Sequence, residues 1–328
     1  MSKESAALAK KYENILVTGG AGAIGSNIVK KLLESKGRKI VVVDDLSSGF
    51  LFNIPRDGRI VFIRGDITRP KILEKAFQHN IDLVFHLAAH FANQNSIKHP
   101  IRDLVSNGIG TLNLLEFSVK HKVKKFIYFS TSCIYKSKAM KLKESDLDLQ
   151  FETPYAISKY IGEKYVNFYH RFHNLPVIIL RIFNSFGPGE KPGQYRNVIP
   201  NFMYRGIKNE PLAITGTGKE TRNFTFVDDI VRGAFLAAIV KKAIGQTINL
   251  GGSKKTSILK LADYVNKLTD NNRKVVFKPR RKWDHSTSRD GDLRLAAQLL
   301  GFRARVPLEE GLKHVHSWML KKIRSKNI

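Results

Sequence analysis

Between Asn14 and Asp45 the chain reads NILVTGGAGAIGSNIVKKLLESKGRKIVVVDD, and few folds accommodate that order of residues. Ile15 to Val17 form a short apolar run, Ile24, Ile28 and Leu32 recur at helical spacing until Gly37, and Ile40 to Val43 resume an apolar strand. The turn between strand and helix carries Gly20, Gly22 and Gly25 as G-x-G-x-x-G. Such a backbone can bend tightly and bring the amides of a helix N-terminus against a pyrophosphate. Asp44 follows Gly25 by nineteen residues, at the end of the second strand. A carboxylate there can hydrogen-bond ribose hydroxyls and repel a 2′-phosphate. A glycine triplet alone is weak, but strand, helix, second strand and acid together predict a dinucleotide site that favours NAD over NADP.

The alternation of strand and helix continues. Apolar strands are expected at Ile60 to Ile63, Leu83 to Leu87, Phe126 to Phe129 and Val177 to Ile182. Helices are expected after Pro70, beyond Asn107 and from Tyr155 to Phe172. That rhythm predicts an α/β fold with a doubly wound parallel sheet. Ligands of such sheets bind beyond the carboxyl ends of the strands. From Asn184 the glycines and prolines at 187 to 193 break the rhythm, placing a boundary between a dinucleotide domain at 1–183 and a mainly substrate-binding, smaller C-terminal α/β domain at 184–328. Residues 224–255, with strands at Phe224 to Val227 and Thr247 to Leu250, are expected to return to the first domain's sheet.

Composition removes several alternatives. No apolar run is long enough for a membrane span and the first residues lack a signal-peptide core, so a cytoplasmic protein without membrane partners is expected. Cys133 is the only cysteine and the histidines lack ligand spacing, so neither an internal disulfide nor a metal site is expected. The net charge of +28 invites a search for nucleic acid. Its lysines are spread along the chain, as in 120–125, 136–143 and the C-terminal tail, without a recognised binding motif. A solvated basic surface is the expected reading, and a field that gathers dianionic substrates or binds polyanions weakly is the alternative.

Tyr155 and Lys159 form Y-x-x-x-K at the start of a helix, one turn apart on one face. An ammonium close to a phenol favours the phenolate and would make Tyr155 a usable base. Here the chain resembles the extended short-chain dehydrogenase/reductases, specifically the NAD-dependent nucleotide-sugar epimerases and dehydratases. The matching segments run nearly end to end: TGGAGAIG (18–25), VVVDDLSSG (41–49), FHLAAH (85–90), NGIGTLNLLE (107–116), PYAISKYIGE (154–163), RIFNSFGPG (181–189) and RNFTFVDDIVRG (222–233). The resemblance implies a Rossmann-type domain and a homodimer formed through helices at about 101 to 120 and 155 to 172. It implies NAD held by Gly19, Gly22, Ala23, Ile24 and Gly25 at the pyrophosphate, Asp44 and Asp45 at the ribose, and Asp66 and Ile67 at the adenine. Ala88 and Asn107 would complete that cleft. Tyr155 would be the base, Lys159 its activator and a nicotinamide-ribose ligand, and Thr131 a hydrogen-bond partner of the reacting sugar oxygen.

The resemblance also narrows the reaction. Related 4,6-dehydratases carry Asp and Glu where this chain has Ser132 and Cys133, and related decarboxylases carry Glu at the position of Cys133. The segment from Ser130 to Ser137 resembles GDP-fucose synthases, whose cysteine works in 3,5-epimerisation, but their histidine before V-I-P is Asn197 here. Cys133 is therefore read as a packed neutral thiol. What remains is a nucleotide-sugar 4-epimerase acting on a UDP-hexose or UDP-hexuronic acid by transient C4 oxidation and hydride return. Asn184, Asn197, Val198, Arg222, Arg281 and Asp284 match substrate-binding positions, with Arg280, Lys282 and Arg289 close alternatives to Arg281 and His90, Phe91, Asn93 and Gln94 candidates for the sugar pocket. The rivals are a reductase or 3,5-epimerase using Cys133, and a non-catalytic dinucleotide-sensing or polyanion-binding protein.

Overall fold

The computed structural model describes residues 2–136, 141–284 and 287–328. Residues 137–140 of the lysine-rich stretch, and residues 285 and 286, lie outside the described residues. The first strand β1 (Asn14–Thr18) leads through the glycine turn into α1 (Ala23–Leu32) and back through β2 (Lys39–Asp44). The sheet continues with β3 (Ile60–Arg64), β4 (Leu83–His86), β5 (Lys125–Thr131) and β6 (Val177–Ile182), and a last strand, β7 (Thr247–Leu250), is added at its edge. All seven strands run parallel in the order β7-β6-β5-β4-β1-β2-β3. The order reverses between β1 and β4, and that switch point opens a crevice at the carboxyl ends of the strands.

Successive side chains explain why the strands read as unbroken apolar runs. Ile15, Val17, Ile40, Val42 and Phe85 enter one buried cluster. Leu16, Val41, Val43 and Val84 enter the cluster on the opposite face. Both faces of a parallel sheet are covered by helices, so neither can be polar.

The expectation for the return crossing holds for only one of its two strands. Thr247–Leu250 joins the sheet beside β6, as expected. Thr225–Phe226 instead pairs with Ser185–Phe186 in a separate two-stranded parallel ribbon. The chain has already left the sheet at Asn184, whose φ of 40° turns the backbone away, so position 225 meets the departing segment and not a sheet edge. Beyond it, α2 (Val198–Ile207) packs with the helices Ile258–Thr269 and Leu308–Arg324. Short ribbons flank them, including Thr221–Arg222 paired with both Thr256–Ser257 and Ser288–Arg289. No helix among the described residues is long and apolar enough to cross a membrane.

Candidate active site

Two adjoining cavities lie at the carboxyl ends of the strands, of about 280 Å³ and 300 Å³. The first runs over the glycine turn. Gly19 has φ +69°, and a Cβ there would stand 2.6 Å from the Ala88 amide nitrogen. A Cβ on Gly25 would collide with the Gly19 carbonyl oxygen. Only bare backbone can pass this closely. Gly22 caps α1 with no side chain, leaving the first helical amides free for an anion. Ala23 and Ile24 line the same wall.

Asp44 binds the turn to the next loop: its carboxylate accepts from Ala21 N at 2.9 Å and Leu46 N at 2.8 Å. Burial raises its pKa, and those two amides oppose the shift. Each carboxylate oxygen keeps a second lone pair, so the ribose role expected of Asp44 is compatible with this bracing. Asp45, Asp66, Ile67 and Ala88 line the cavity as expected. Asn107 does not line it. It is 1% exposed, and it accepts from His90 N at 2.7 Å while donating to Asp103 and Ser158 at 3.1 and 2.9 Å. Its amide tethers the cavity wall from behind.

At the other end of this cavity stand Thr131, Tyr155 and Lys159. Thr131 closes β5, its hydroxyl accepts from Cys133 N at 3.1 Å, and that hydroxyl opposes the rise in the pKa of Tyr155. The helix α3 (Pro154–His173) starts at an N-cap, Thr153, whose hydroxyl accepts from Ala156 N. That cap places Tyr155 in the first turn and Lys159 one turn later. Lys159 Nζ lies 4.1 Å above the ring of Tyr128. Burial pushes Tyr155 above the ordinary phenol range and lowers Lys159 to about 7. For the protein without ligand this is opposite to the expected activation, because desolvation is the largest influence on both groups. Glu163, paired with Arg181 at 2.7 Å, and Asp103 are the negative groups that keep Lys159 from falling further.

The second cavity begins where the first ends. Phe91, Cys133, Tyr155, Asn184, Arg196 and Asn197 are among the residues that line both. Asn93, Gln94, Val198, Arg222, Arg281, Asp284 and Arg289 line the second, and His90 the first. The expected substrate residues are thus brought together from segments far apart in the chain. Asn197 is held by Glu190, to which its amide donates at 3.1 Å. Arg281 lies over the Trp283 ring at 5.6 Å.

Cys133 packs against the cluster of Ile134, Tyr135 and Phe183, in keeping with the expected packed thiol, and is also open on its other side. Its Sγ accepts from Asn93 Nδ2 at 3.5 Å and Arg289 Nη1 at 3.4 Å and faces both cavities. Arg196, Trp283 and Glu190 were not expected. They sit in irregular segments, and no periodicity signals them.

The cavities fit NAD and an adjoining phosphorylated ligand. Ser130 Oγ and Asn184 Nδ2 are buried without a hydrogen-bond partner among the described residues, and both residues line the first cavity. Buried polar atoms of this kind call for a ligand or water.

Residues 15–251 match the model of the NAD dependent epimerase/dehydratase family. An epimerase from the pseudomurein-containing methanogen Methanothermobacter thermautotrophicus has the same fold at a TM-score of 0.96, with 41% identity covering 99% of this chain and 98% of that one. A UDP-glucose 4-epimerase of Thermotoga maritima, solved with UDP-glucose, gives 0.89 with 36% identity over 94% and 99% of the two chains. A UDP-N-acetyl-α-D-glucosaminuronate decarboxylase of Bacillus cytotoxicus is 33% identical over 92% of this chain and 96% of its own. The similarity therefore reaches proteins named for different reactions.

Proposed function

As a member of the NAD-dependent epimerase/dehydratase family, this chain is an NAD-dependent enzyme, and we propose that it is a nucleotide-sugar 4-epimerase acting on a UDP-hexose or UDP-hexuronic acid. The observation that carries the reading is the junction of the two cavities. Tyr155 stands there, Thr131 lines the first cavity with it, and no Asp or Glu among the described residues lines both cavities. A dehydratase or decarboxylase of this family would need a carboxylate at the strand end, where Ser132 and Cys133 stand instead.

Bound NAD supplies the oxidation of the sugar at C4 and the reduction that restores it. The chain's own residues do the rest. Tyr155 takes the proton of the C4 hydroxyl and later returns it, and Thr131 holds that oxygen in line. Lys159, charged when a phenolate forms beside it, lowers the cost of that phenolate. Arg222 and Arg281 provide planar donors for a diphosphate. Asp44 would hold the cofactor's ribose and the glycine turn its pyrophosphate, keeping NAD in place for repeated turnovers. An apolar surface on the helical segments near 101–109 and on α3 supports a homodimer.

Purified protein should carry NAD and interconvert a C4-epimeric UDP-sugar pair without consuming added cofactor. Tyr155→Phe should lower kcat about 10²- to 10⁴-fold with an unchanged circular dichroism spectrum. Products that are only 4-keto-6-deoxy or decarboxylated sugars would sink the proposal. Consumption of NADPH with a 4-keto sugar, lost in Cys133→Ser, would favour the reductase instead.

A further inference from the structure

Two arginines stand side by side in the second cavity. Arg222 and Arg289 are register partners in the parallel pairing of their strands, and both line the cavity. Burial and then the charge of Arg289 lower the pKa of Arg222, so the pair is set against its own repulsion. A diphosphate bound by Arg222 and Arg281 would relieve one of these charges.

Arg289 is the other. It is 8% exposed. Its Nη1 donates to Cys133 Sγ at 3.4 Å, and sulfur is a weak acceptor. Its Nη2 lies 3.5 Å from a Glu152 oxygen, a single contact to a side chain that is itself 19% exposed. Its Nε is buried and has no partner among the described residues. Glu152 therefore compensates this guanidinium only in part. A buried charge calls for a partner that offers both charge and well-placed acceptors.

The position of Arg289 says where that partner must be. Cys133, which Arg289 touches, also flanks Tyr155 at the junction of the cavities. Tyr155 addresses C4 of the sugar in the proposed reaction, and the C6 group is borne by the neighbouring carbon, C5. A hydroxymethyl group at C6 could accept hydrogen bonds but would add no charge to the partial compensation by Glu152. A C6 carboxylate presents two acceptors to the planar fork of a guanidinium. We infer that Arg289 is a specificity residue that recognises a sugar carboxylate, so that the substrate class is a nucleotide hexuronate in preference to a neutral hexose. The inference rests on the 4-epimerase reading for which substituent lies near Arg289.

Calorimetric titration of the NAD-loaded protein with UDP-glucuronate, UDP-glucose and UDP alone tests it, alongside epimerisation assays of both sugars. The wild-type protein should bind UDP-glucuronate at least about 10-fold more tightly than UDP-glucose. In Arg289→Met the ratio of the two affinities should fall toward one, through a loss for the uronate of roughly 10- to 100-fold. UDP alone should bind both proteins alike, which reports an intact nucleotide site. Glu152→Gln should retain the preference for the uronate. Equal affinities in the wild-type protein, or an equal loss for both sugars in Arg289→Met, would overturn the inference and leave Arg289 a structural partner of Glu152. A uronate preference that disappears in Arg289→Met, with neither sugar epimerised, would uphold the carboxylate contact and overturn the 4-epimerase reading instead.

Discussion

Lys159 shows how far a residue's surroundings can override its ordinary chemistry. The Y-x-x-x-K spacing identifies it and puts it on the face of Tyr155, but only packing reveals that it is 2% exposed and lowered to about 7. An unfolded lysine titrates near 10.4, so between these values the unfolded chain binds more protons than the folded one and stability rises with pH. Below pH 7 the lysine is charged in both states and the cost of burying that charge is fully present. One such group contributes at most about 1.4 kcal/mol per pH unit. In NAD-free protein, Lys159→Met should therefore flatten the rise of stability between pH 7 and 9, measured by urea unfolding. Lys125, lowered to about 8 by burial, would keep its own share of the slope in that variant. An identical slope in the two proteins would show that Lys159 does not titrate there.

Among the elements, the helical stretch through Asn107 was the least legible. Periodicity located a helix beyond Asn107, and the structure has one there, Gly110–Lys120, but it is preceded by a π turn at Val105–Ile109 and a short helix at Pro100–Leu104. The π turn carries Asn107 into a buried network with Asp103 and Ser158, where Asp103 is 0% exposed. Local pattern cannot foresee this, because one partner of Asn107, Ser158, comes from another helix 51 residues away. Asn107→Ala should cost about 1–3 kcal/mol of stability by leaving buried polar groups unpaired, while the NAD content of the purified protein stays near that of the wild type. Loss of NAD with unchanged thermal stability would restore the expected role of Asn107 as a direct cofactor contact. The ends of the sheet strands were more legible, since β1 through β7 all overlap the apolar runs.

At the scale of the whole molecule, one surface is unlike the rest. Ile101 and Phe172 are 80% and 73% exposed, and Leu104, Val105, Ile109, Ile157 and Phe168 are exposed as well. Contiguous apolar surface on helices marks an interface, and two copies of this face would cover each other in the proposed homodimer. Sedimentation of Ile101→Glu/Phe172→Glu should give a monomer where the wild-type protein gives a dimer; a wild-type monomer would dismiss the interface. The parallel sheet, the glycine turn, the placement of Tyr155 and Lys159 on one helix and the NAD dependence could all be derived from the order of residues. They depend on contacts within a few turns of chain or on apolar periodicity, which sequence records directly. The tertiary structure alone decided that Asn107 braces the cleft from behind, that Cys133 faces the cavities, and that Arg289 reaches it from 156 residues away. Those facts are set by which distant segments the sheet's switch point brings together, and by how completely water is excluded there; neither is written in any local run of side chains.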